Sequence, residues 1–370
     1  MIKIALSLLL LLPLIISAQS VKLLVGTYTG GRSHGIYVYY FNTKSGEATL
    51  IDYANTSNPS FLAVSAAGNH VYAVNENGGA AGGSVTAFSF DKINGRLQQL
   101  NSRPSGGEHP CYIALDKTGR WAAVGNYSSG TVTVLPVRED GSLGEAATTI
   151  QHRGSGTNKD RQGSPHVHAA VFSPDNAYLL VTDLGTDKVF SYSFNARTGN
   201  LLPTDGQSFV KLADGSGPRH LSFHPNRKWV YLVQELSGTV TQFDYKKGGL
   251  VQKSKVNILP SDYRGTATAA DIHVSPNGKF LYASNRNSSN TLAIFRINRE
   301  DGSLQLIGHK LSGGRAPRNF NFDPGGHFLL VANQDTNAIT VFRMDHKTGL
   351  LTDTGKKIEV PKPVCIEWVK

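Results

Sequence analysis

The chain has 370 residues and a formal net charge of +10, since 37 Lys and Arg outnumber 27 Asp and Glu. A basic protein favours acidic partners, but no Lys/Arg-rich run with interleaved aromatic residues is present, which argues against nucleic acid. We therefore expect an anionic small molecule as the partner.

The first 18 residues have the pattern of a secretory signal peptide: Lys3, an apolar run over 4–16, and small residues at Ser17 and Ala18. A retained anchor is the alternative, but the run is shorter than the roughly 20 residues that span a bilayer. We predict a signal peptide over 1–18, a periplasmic or secreted location, and no stable membrane insertion after cleavage.

A unit of four strands recurs along the rest of the chain. Its first hairpin pairs a Pro-led apolar strand with a second apolar strand, and six copies begin at Asn58, His109, Ser164, Gly217, Thr268 and Ala316. Its outer hairpin needs a residue that tolerates positive φ, and seven glycines fit: Gly46, Gly95, Gly141, Gly199, Gly248, Gly302 and Gly349.

The difference between six copies of the first hairpin and seven outer hairpins is explained by the two ends of the chain. Residues 361–370 read as a first strand without a second, and residues 22–42 as a second and third strand without a first. Together they complete one unit, which predicts an all-β fold: a closed seven-bladed propeller of four-stranded blades in one domain, 19–370. An open solenoid would instead need capping repeats.

In a propeller the inner strand of each blade lines the channel and the second strand runs antiparallel to it. The start of the first strand and the end of the second therefore share one mouth. Aligned starts of the first strand are Ser60, Cys111, His168, Arg219, Ala270, Arg318 and Val364. Aligned ends of the second are Tyr28, Glu76, Tyr127, Leu184, Glu235, Arg286 and Gln334. These two rings predict a polar, cationic funnel, with ordinary solvent-exposed strand ends as the alternative.

Two further features follow from the same alignment. Cys111 and Cys365 lie two blades apart, so we expect two free, buried thiols. The polar insert over 152–165 precedes the strand of His168. We favour a mobile surface loop there, and a lid over the mouth is the alternative.

Several segments resemble the lactonase-type seven-bladed propellers, which include the propeller-type bacterial 6-phosphogluconolactonase and the fungal carboxy-muconate lactonizing enzymes. They include SPHVHAAVFSPD (164–175), GPRHLSFHP (217–225), VQELSGTV (233–240) and DIHVSPNGKFLYASNR (271–286). The resemblance covers nearly the whole mature chain and implies the catalytic residues His168, Arg219, Glu235 and Arg286. The two rings select the same four residues independently.

The resemblance implies a lactonase, a carboxylic ester hydrolase of carbohydrate metabolism that needs no metal or cofactor. We expect Arg219 and Arg286 to hold the carbonyl oxygen, and Glu235 or His168 to act as the base. Further binding candidates are Arg318, His166 and Glu76. Export departs from a cytosolic pentose-phosphate role, so a phosphorylated lactone and an unphosphorylated aldonolactone both stay open.

Three alternatives remain from the sequence. His166 and His168 are two apart in a strand and could ligate a metal ion, although further ligands are not evident. The same cationic site could assist a muconate-type cycloisomerase. A propeller can also serve as a binding module without chemistry.

Overall fold

The structure is a computed structural model that describes residues 20–80 and 82–369. The predicted signal peptide, 1–18, lies outside the described residues, and the domain boundary at residue 19 likewise stays a prediction. Within the described ranges, the only helical element is a 3₁₀ turn at Gln334–Thr336, and no helix could cross a membrane.

Every sheet is built from strands that follow one another along the chain, except the sheet that joins the two ends. The first three strands are β1 (Ser20–Thr27), β2 (Gly35–Asn42) and β3 (Ala48–Asn55). Blade 1 contains β4 (Leu62–Val64), β5 (His70–Asn75), β6 (Ser84–Asp91) and β7 (Arg96–Pro104). Blade 2 contains β8 (Pro110–Leu115), β9 (Trp121–Asn126), β10 (Thr131–Pro136) and β11 (Thr148–Gln151). Blade 3 contains β12 (Val167–Phe172), β13 (Tyr178–Asp183), β14 (Lys188–Phe194), β15 (Leu201–Pro203) and β16 (Phe209–Lys211).

The remaining blades follow the same order. Blade 4 contains β17 (Pro218–Phe223), β18 (Trp229–Gln234), β19 (Thr239–Lys246) and β20 (Gly249–Asn257). Blade 5 contains β21 (Ala269–Val274), β22 (Phe280–Asn285), β23 (Thr291–Ile297) and β24 (Leu304–Leu311). Blade 6 contains β25 (Pro317–Phe322), β26 (Phe328–Asn333), β27 (Ala338–Met344) and β28 (Leu351–Glu359). The last strand is β29 (Pro363–Val369).

Ring closure follows the prediction. β29 pairs antiparallel with β1, with Ile366 opposite Val25, so blade 7 has the order β29-β1-β2-β3. The seven-bladed propeller is thus confirmed, with one local departure: the outer strand of blade 3 is split, and β15 and β16 each pair with part of β14.

The blades pack through apolar side chains and through the outer hairpins. All seven predicted hairpin glycines have positive φ. At Gly199 an added Cβ would lie 2.3 Å from the Trp121 ring of the preceding blade, and at Gly349 it would lie 2.4 Å from the Phe280 ring. These glycines are therefore required both by the turn conformation and by close packing between neighbouring blades.

Candidate active site

The inner strands of blades 2–6 contain a repeated β-bulge at or beside their second residue. In β12 the pairing passes from Val167 to Ala169, and in β25 from Pro317 to Asn319, so His168 and Arg318 have no partner on the next strand. Comparable shifts occur in β8, β17 and β21. A bulge re-aims the side chain that it leaves unpaired, which is how the first predicted ring turns toward the axis.

The second ring consists of the residues that directly follow the second strands. Glu76, Glu235 and Arg286 follow β5, β18 and β22, respectively. The amide residue just before this ring acts structurally: Asn126 Nδ2 donates to the carbonyl oxygen of Ser105 at 2.9 Å.

The two rings enclose a cavity of about 220 Å³ at one mouth of the channel. That volume lies below the roughly 300–1,000 Å³ of drug-sized ligand sites, so it suits a small ligand. Its walls are formed by Tyr28, Glu76, Cys111, Tyr127, Arg161, His168, Glu235, Arg286 and Arg318. Five of the seven predicted site residues are on this wall, whereas Arg219 and His166 lie behind it.

Glu235 is the centre of the charged cluster. Its Oε1 lies 2.7 Å from Arg161 Nη2, and its Oε2 lies 3.1 Å from both Arg219 Nε and Arg286 Nη2. Burial raises the pKa of this carboxyl, but Arg286, Arg219 and Arg161 outweigh burial and lower the pKa to about 2. Glu235 is therefore a buried carboxylate at neutral pH.

Arg219 lies beneath the cavity, with only 1% of its surface exposed. Its Nη1 donates to the carbonyl oxygen of Ala270 on the next blade. The backbone carbonyl oxygen of Arg219 accepts a hydrogen bond from Thr182 Oγ1 at 2.6 Å. The Nε–H is close to Glu235 but poorly aligned, so the contact is an ion pair rather than a hydrogen bond. Burial, Arg286 and Arg318 lower the pKa of Arg219 to about 10, which leaves it protonated.

Arg318 and Glu76 occupy the opposite wall. Tyr28 donates to Glu76 Oε2 at 2.9 Å, Arg318 Nη2 lies 3.9 Å from the same oxygen, and its guanidinium covers the Tyr28 ring at 5.4 Å. Burial lowers the pKa of Arg318, but Tyr28 and Glu76 more than offset it, so the pKa is raised. This wall presents a second fixed cation.

The two predicted histidines, His166 and His168, contact the Tyr127 ring from different sides. His166 stacks on Tyr127 with its Nδ1 2.9 Å from the Tyr127 carbonyl oxygen, whereas His168 meets the ring edge-on. His168 is buried, and its Nδ1 lies 3.7 Å from Cys111 Sγ. Burial, Arg219 and His220 hold the pKa of His168 well below its ordinary value, so its imidazole is neutral at pH 7.

Comparison with known proteins identifies the family of the chain. Residues 22–368 match the family described as lactonase, 7-bladed beta-propeller. The chain belongs to this lactonase family. The expectation of a lactonase-type carboxylic ester hydrolase is thereby confirmed.

Relatives of this lactonase-family chain match it over nearly their whole length. A 6-phosphogluconolactonase of Formosa agariphila is 39% identical over 91% of this chain and 96% of its own. That of Bacillus subtilis is 35% identical over 93% and 97%. The structure of the periplasmic gluconolactonase of Pseudomonas aeruginosa is 39% identical over 95% of this chain and 99% of its own, with a TM-score of 0.91.

Sequence reasoning missed Arg161 in this lactonase. The sequence favours a mobile surface loop over 152–165, with a lid over the mouth as the alternative, whereas the structure places Arg161 of this insert on the cavity wall, paired with Glu235. The insert has no counterpart in the other repeats, so the repeat alignment could not place it. Only its position just before the His168 strand pointed to the mouth.

A buried polar network, which the sequence does not predict, supports the cavity from below. Asp271 Oδ1 lies 2.8 Å from His220 Nδ1, Asp271 Oδ2 accepts from Asn319 Nδ2 at 2.5 Å, and Asn319 Oδ1 accepts from the Ile366 amide at 2.8 Å. The network therefore joins blades 4, 5, 6 and 7. His220 also packs against Arg219, with Nη1 3.4 Å from its ring nitrogens, which places the arginine of the site on a fixed support.

Other candidate features do not compete with this mouth. Across residues 20–80 and 82–369, no three His, Cys, Asp or Glu side chains are grouped to hold a metal ion, and the metal-free expectation stays a prediction. Cys111 and Cys365 are free and buried, as expected. A larger groove of about 780 Å³ lies at the rim between blades 6 and 7, but it does not contain the convergent charged groups of the channel mouth.

Proposed function

We propose that this chain hydrolyses a sugar lactone at the mouth of the propeller channel. The observation that carries the proposal is a buried carboxylate, Glu235, surrounded by arginines on the wall of one small cavity, beside a neutral histidine. Family membership and the 6-phosphogluconolactonase names of the relatives support the same reaction.

The chemistry requires a stabilised oxyanion and a base. The oxygen of water bonds to the lactone carbonyl carbon, its proton passes to the base, and the carbonyl oxygen becomes negatively charged. The ring C–O bond then breaks, and the departing ring oxygen receives a proton to give a hydroxy acid. Fixed cations at the developing oxyanion lower the barrier because they need no reorganisation.

We assign different roles to the arginines according to how deeply each side chain is buried. Arg286 and Arg318 are on the cavity wall, with side chains 16% and 15% exposed, so we assign them the carbonyl oxygen and any anionic substituent. The sequence-based expectation gave the carbonyl contact to Arg219 and Arg286. Because Arg219 is buried behind the wall, we propose that it positions Glu235 rather than touching the substrate. Glu76 orients Arg318 from the same wall.

Either of two groups can take the proton from water. Neutral His168 is on the wall, and its low pKa keeps a ring nitrogen unprotonated at pH 7. Glu235 is ionised, but three arginines occupy its oxygens in this structure. His166, which stacks behind Tyr127, is a supporting residue in this scheme.

The charge of the site favours an anionic lactone. Arg161, Arg219, Arg286 and Arg318 face Glu76 and Glu235, a surplus of two positive charges. A phosphorylated sugar lactone would complement this surplus, whereas an aldonolactone suits the periplasmic or secreted location that the signal-peptide pattern predicts. The periplasmic location of the Pseudomonas aeruginosa relative supports that location.

Initial rates on three substrates test the proposal. Purified protein lacking residues 1–18 would be supplied with gluconolactone, 6-phosphogluconolactone and a carboxylated muconolactone, each corrected for spontaneous opening. We expect hydrolysis of at least one of the two sugar lactones. Turnover of the muconolactone alone would overturn the proposal in favour of a cycloisomerase, and turnover of none in favour of a binding module.

A further inference from the structure

The insert that carries Arg161 is fixed at both of its ends. His152 lies 2.8 Å from Asp183 Oδ2 through Nδ1 and 3.0 Å from the Tyr192 hydroxyl through Nε2. Gln162 Nε2 donates to the Leu184 carbonyl oxygen and to Asp187 Oδ1, both at 2.8 Å. His152 and Gln162 are buried, so the backbone on either side of Arg161 is held against blade 3.

Arg161 differs from the other arginines of the site in its exposure. Its side chain is 39% exposed, against 2% for Arg219 and 16% for Arg286. It spans the cavity from the insert, with Nη2 2.7 Å from Glu235 Oε1 and 3.3 Å from the Tyr127 hydroxyl. Because it already contacts solvent, it can exchange one anionic partner for another without leaving a buried charge unpaired.

The two oxygens of Glu235 are held unequally. Oε2 is shared by Arg219 and Arg286, whereas within residues 20–80 and 82–369 Oε1 forms an ion pair with Arg161 alone. Release of Arg161 would therefore free one oxygen of a carboxylate that stays anchored by the other.

We propose that Arg161 determines specificity by exchanging Glu235 for the anionic substituent of the lactone. This inference rests on the proposed function. Before binding, Arg161 occupies Oε1; once it contacts a phosphate or carboxylate of the substrate, Oε1 accepts the proton of the attacking water while the water oxygen bonds to the carbonyl carbon. Binding of an anionic lactone thus frees Glu235 Oε1 to act as the base. A neutral lactone lacks the group that draws Arg161 away from Glu235.

The test compares Arg161→Gln and Arg161→Lys with wild type on 6-phosphogluconolactone and gluconolactone. Arg153→Gln is the matched control, since Arg153 is an exposed arginine of the same insert. Loss of one charge-assisted contact is worth about 10- to 100-fold in affinity. We expect Arg161→Gln to lower kcat/KM for the phosphorylated lactone by about that factor, chiefly through KM. We expect kcat for gluconolactone to rise, because Glu235 Oε1 is then free without an anionic substituent on the substrate.

The pH profile supplies a readout that a purely structural role would not move. Arg161, Arg219 and Arg286 all lower the pKa of Glu235, so removing Arg161 should shift the acid limb of kcat/KM to higher pH, with Arg161→Lys shifted less. An equal loss on both lactones, or an unchanged ratio and acid limb in a folded variant, would overturn the inference alone. A wild type that opens neither lactone would instead overturn the proposed function.

Discussion

Arg219 Nε and Glu235 Oε2 lie 3.1 Å apart, although Arg219 is the second residue of β17 and Glu235 directly follows the end of β18. Antiparallel pairing of β17 with β18 brings these two positions to the same mouth. Both side chains are buried, so each charge depends on the other for compensation.

Replacing Glu235 with Gln should affect both activity and stability. The amide cannot neutralise Arg219 and Arg286, and an uncompensated buried charge typically costs about 3 kcal/mol or more. We expect kcat to fall by about 10²- to 10⁴-fold if this carboxylate is the base. Urea unfolding and lactone hydrolysis measure the two effects.

The control for this variant is Glu145→Gln, which removes an 81% exposed glutamate from an ion pair with Arg103. Exposed pairs contribute about 1 kcal/mol or less. Equal stability losses in the two variants would contradict the view that Glu235 compensates buried arginines. Replacement of His168 by Gln identifies the base: a larger loss of kcat there than at Glu235 would assign the proton to the imidazole.

We expect His220 to lower the free energy of unfolding at acidic pH. Burial and Arg219 lower the pKa of His220 to about 4 from its ordinary value of 6.5. In the window between these values, the unfolded chain binds a proton that the folded protein does not, so stability falls as pH falls from 6.5 toward 4. The shift corresponds to at most about 3 kcal/mol.

We expect His220→Gln to flatten the pH dependence of the free energy of unfolding across that window. His168, whose pKa is also lowered, remains in the variant and retains part of the slope. Urea unfolding at several pH values measures the slope of the free energy of unfolding against pH. His346→Gln, in the turn between β27 and β28, is the control. A slope identical to wild type after the His220 substitution would show that this imidazole does not set the acid sensitivity.

Gly199→Ala should destabilise the packing of blade 3 against blade 2. The residue has φ of +75°, and its added Cβ would lie 2.3 Å from the Trp121 ring. Gly206→Ala is the matched control because Gly206 also has positive φ, +83°, with no heavy atom within 4 Å of the added Cβ. We expect the Gly199 variant to lose about 1–3 kcal/mol more than the control, the usual cost of overpacking, as measured by urea unfolding.

The repeat made most of the fold and much of the site predictable. Seven hairpin glycines gave the blade number, and the shared register placed Arg219 level with Arg318 and Glu235 level with Arg286. Residues outside the repeat could not be placed in this way, as Arg161 shows. The repeat alignment also predicts the position of a residue along the channel but not how deeply its side chain is buried. It therefore could not distinguish buried Arg219 from Arg286 on the cavity wall.

The network of Asp271 was unpredictable for a related reason. Its partners His220 and Asn319 come from neighbouring blades, and the register of each inner strand shifts at or beside these residues. Sequence periodicity alone would assign the third residue of these strands to the opposite face from the second.

The most direct measurement of the central claim is proton release during lactone opening at constant pH, for wild type and Arg286→Gln. Arg286 is on the cavity wall and contacts Glu235, so its loss should lower kcat by about 10²- to 10³-fold, as for an oxyanion-stabilising donor. Arg315→Gln, an exposed arginine in the loop before β25, should behave like wild type. Full activity of folded Arg286→Gln would contradict hydrolysis at this mouth.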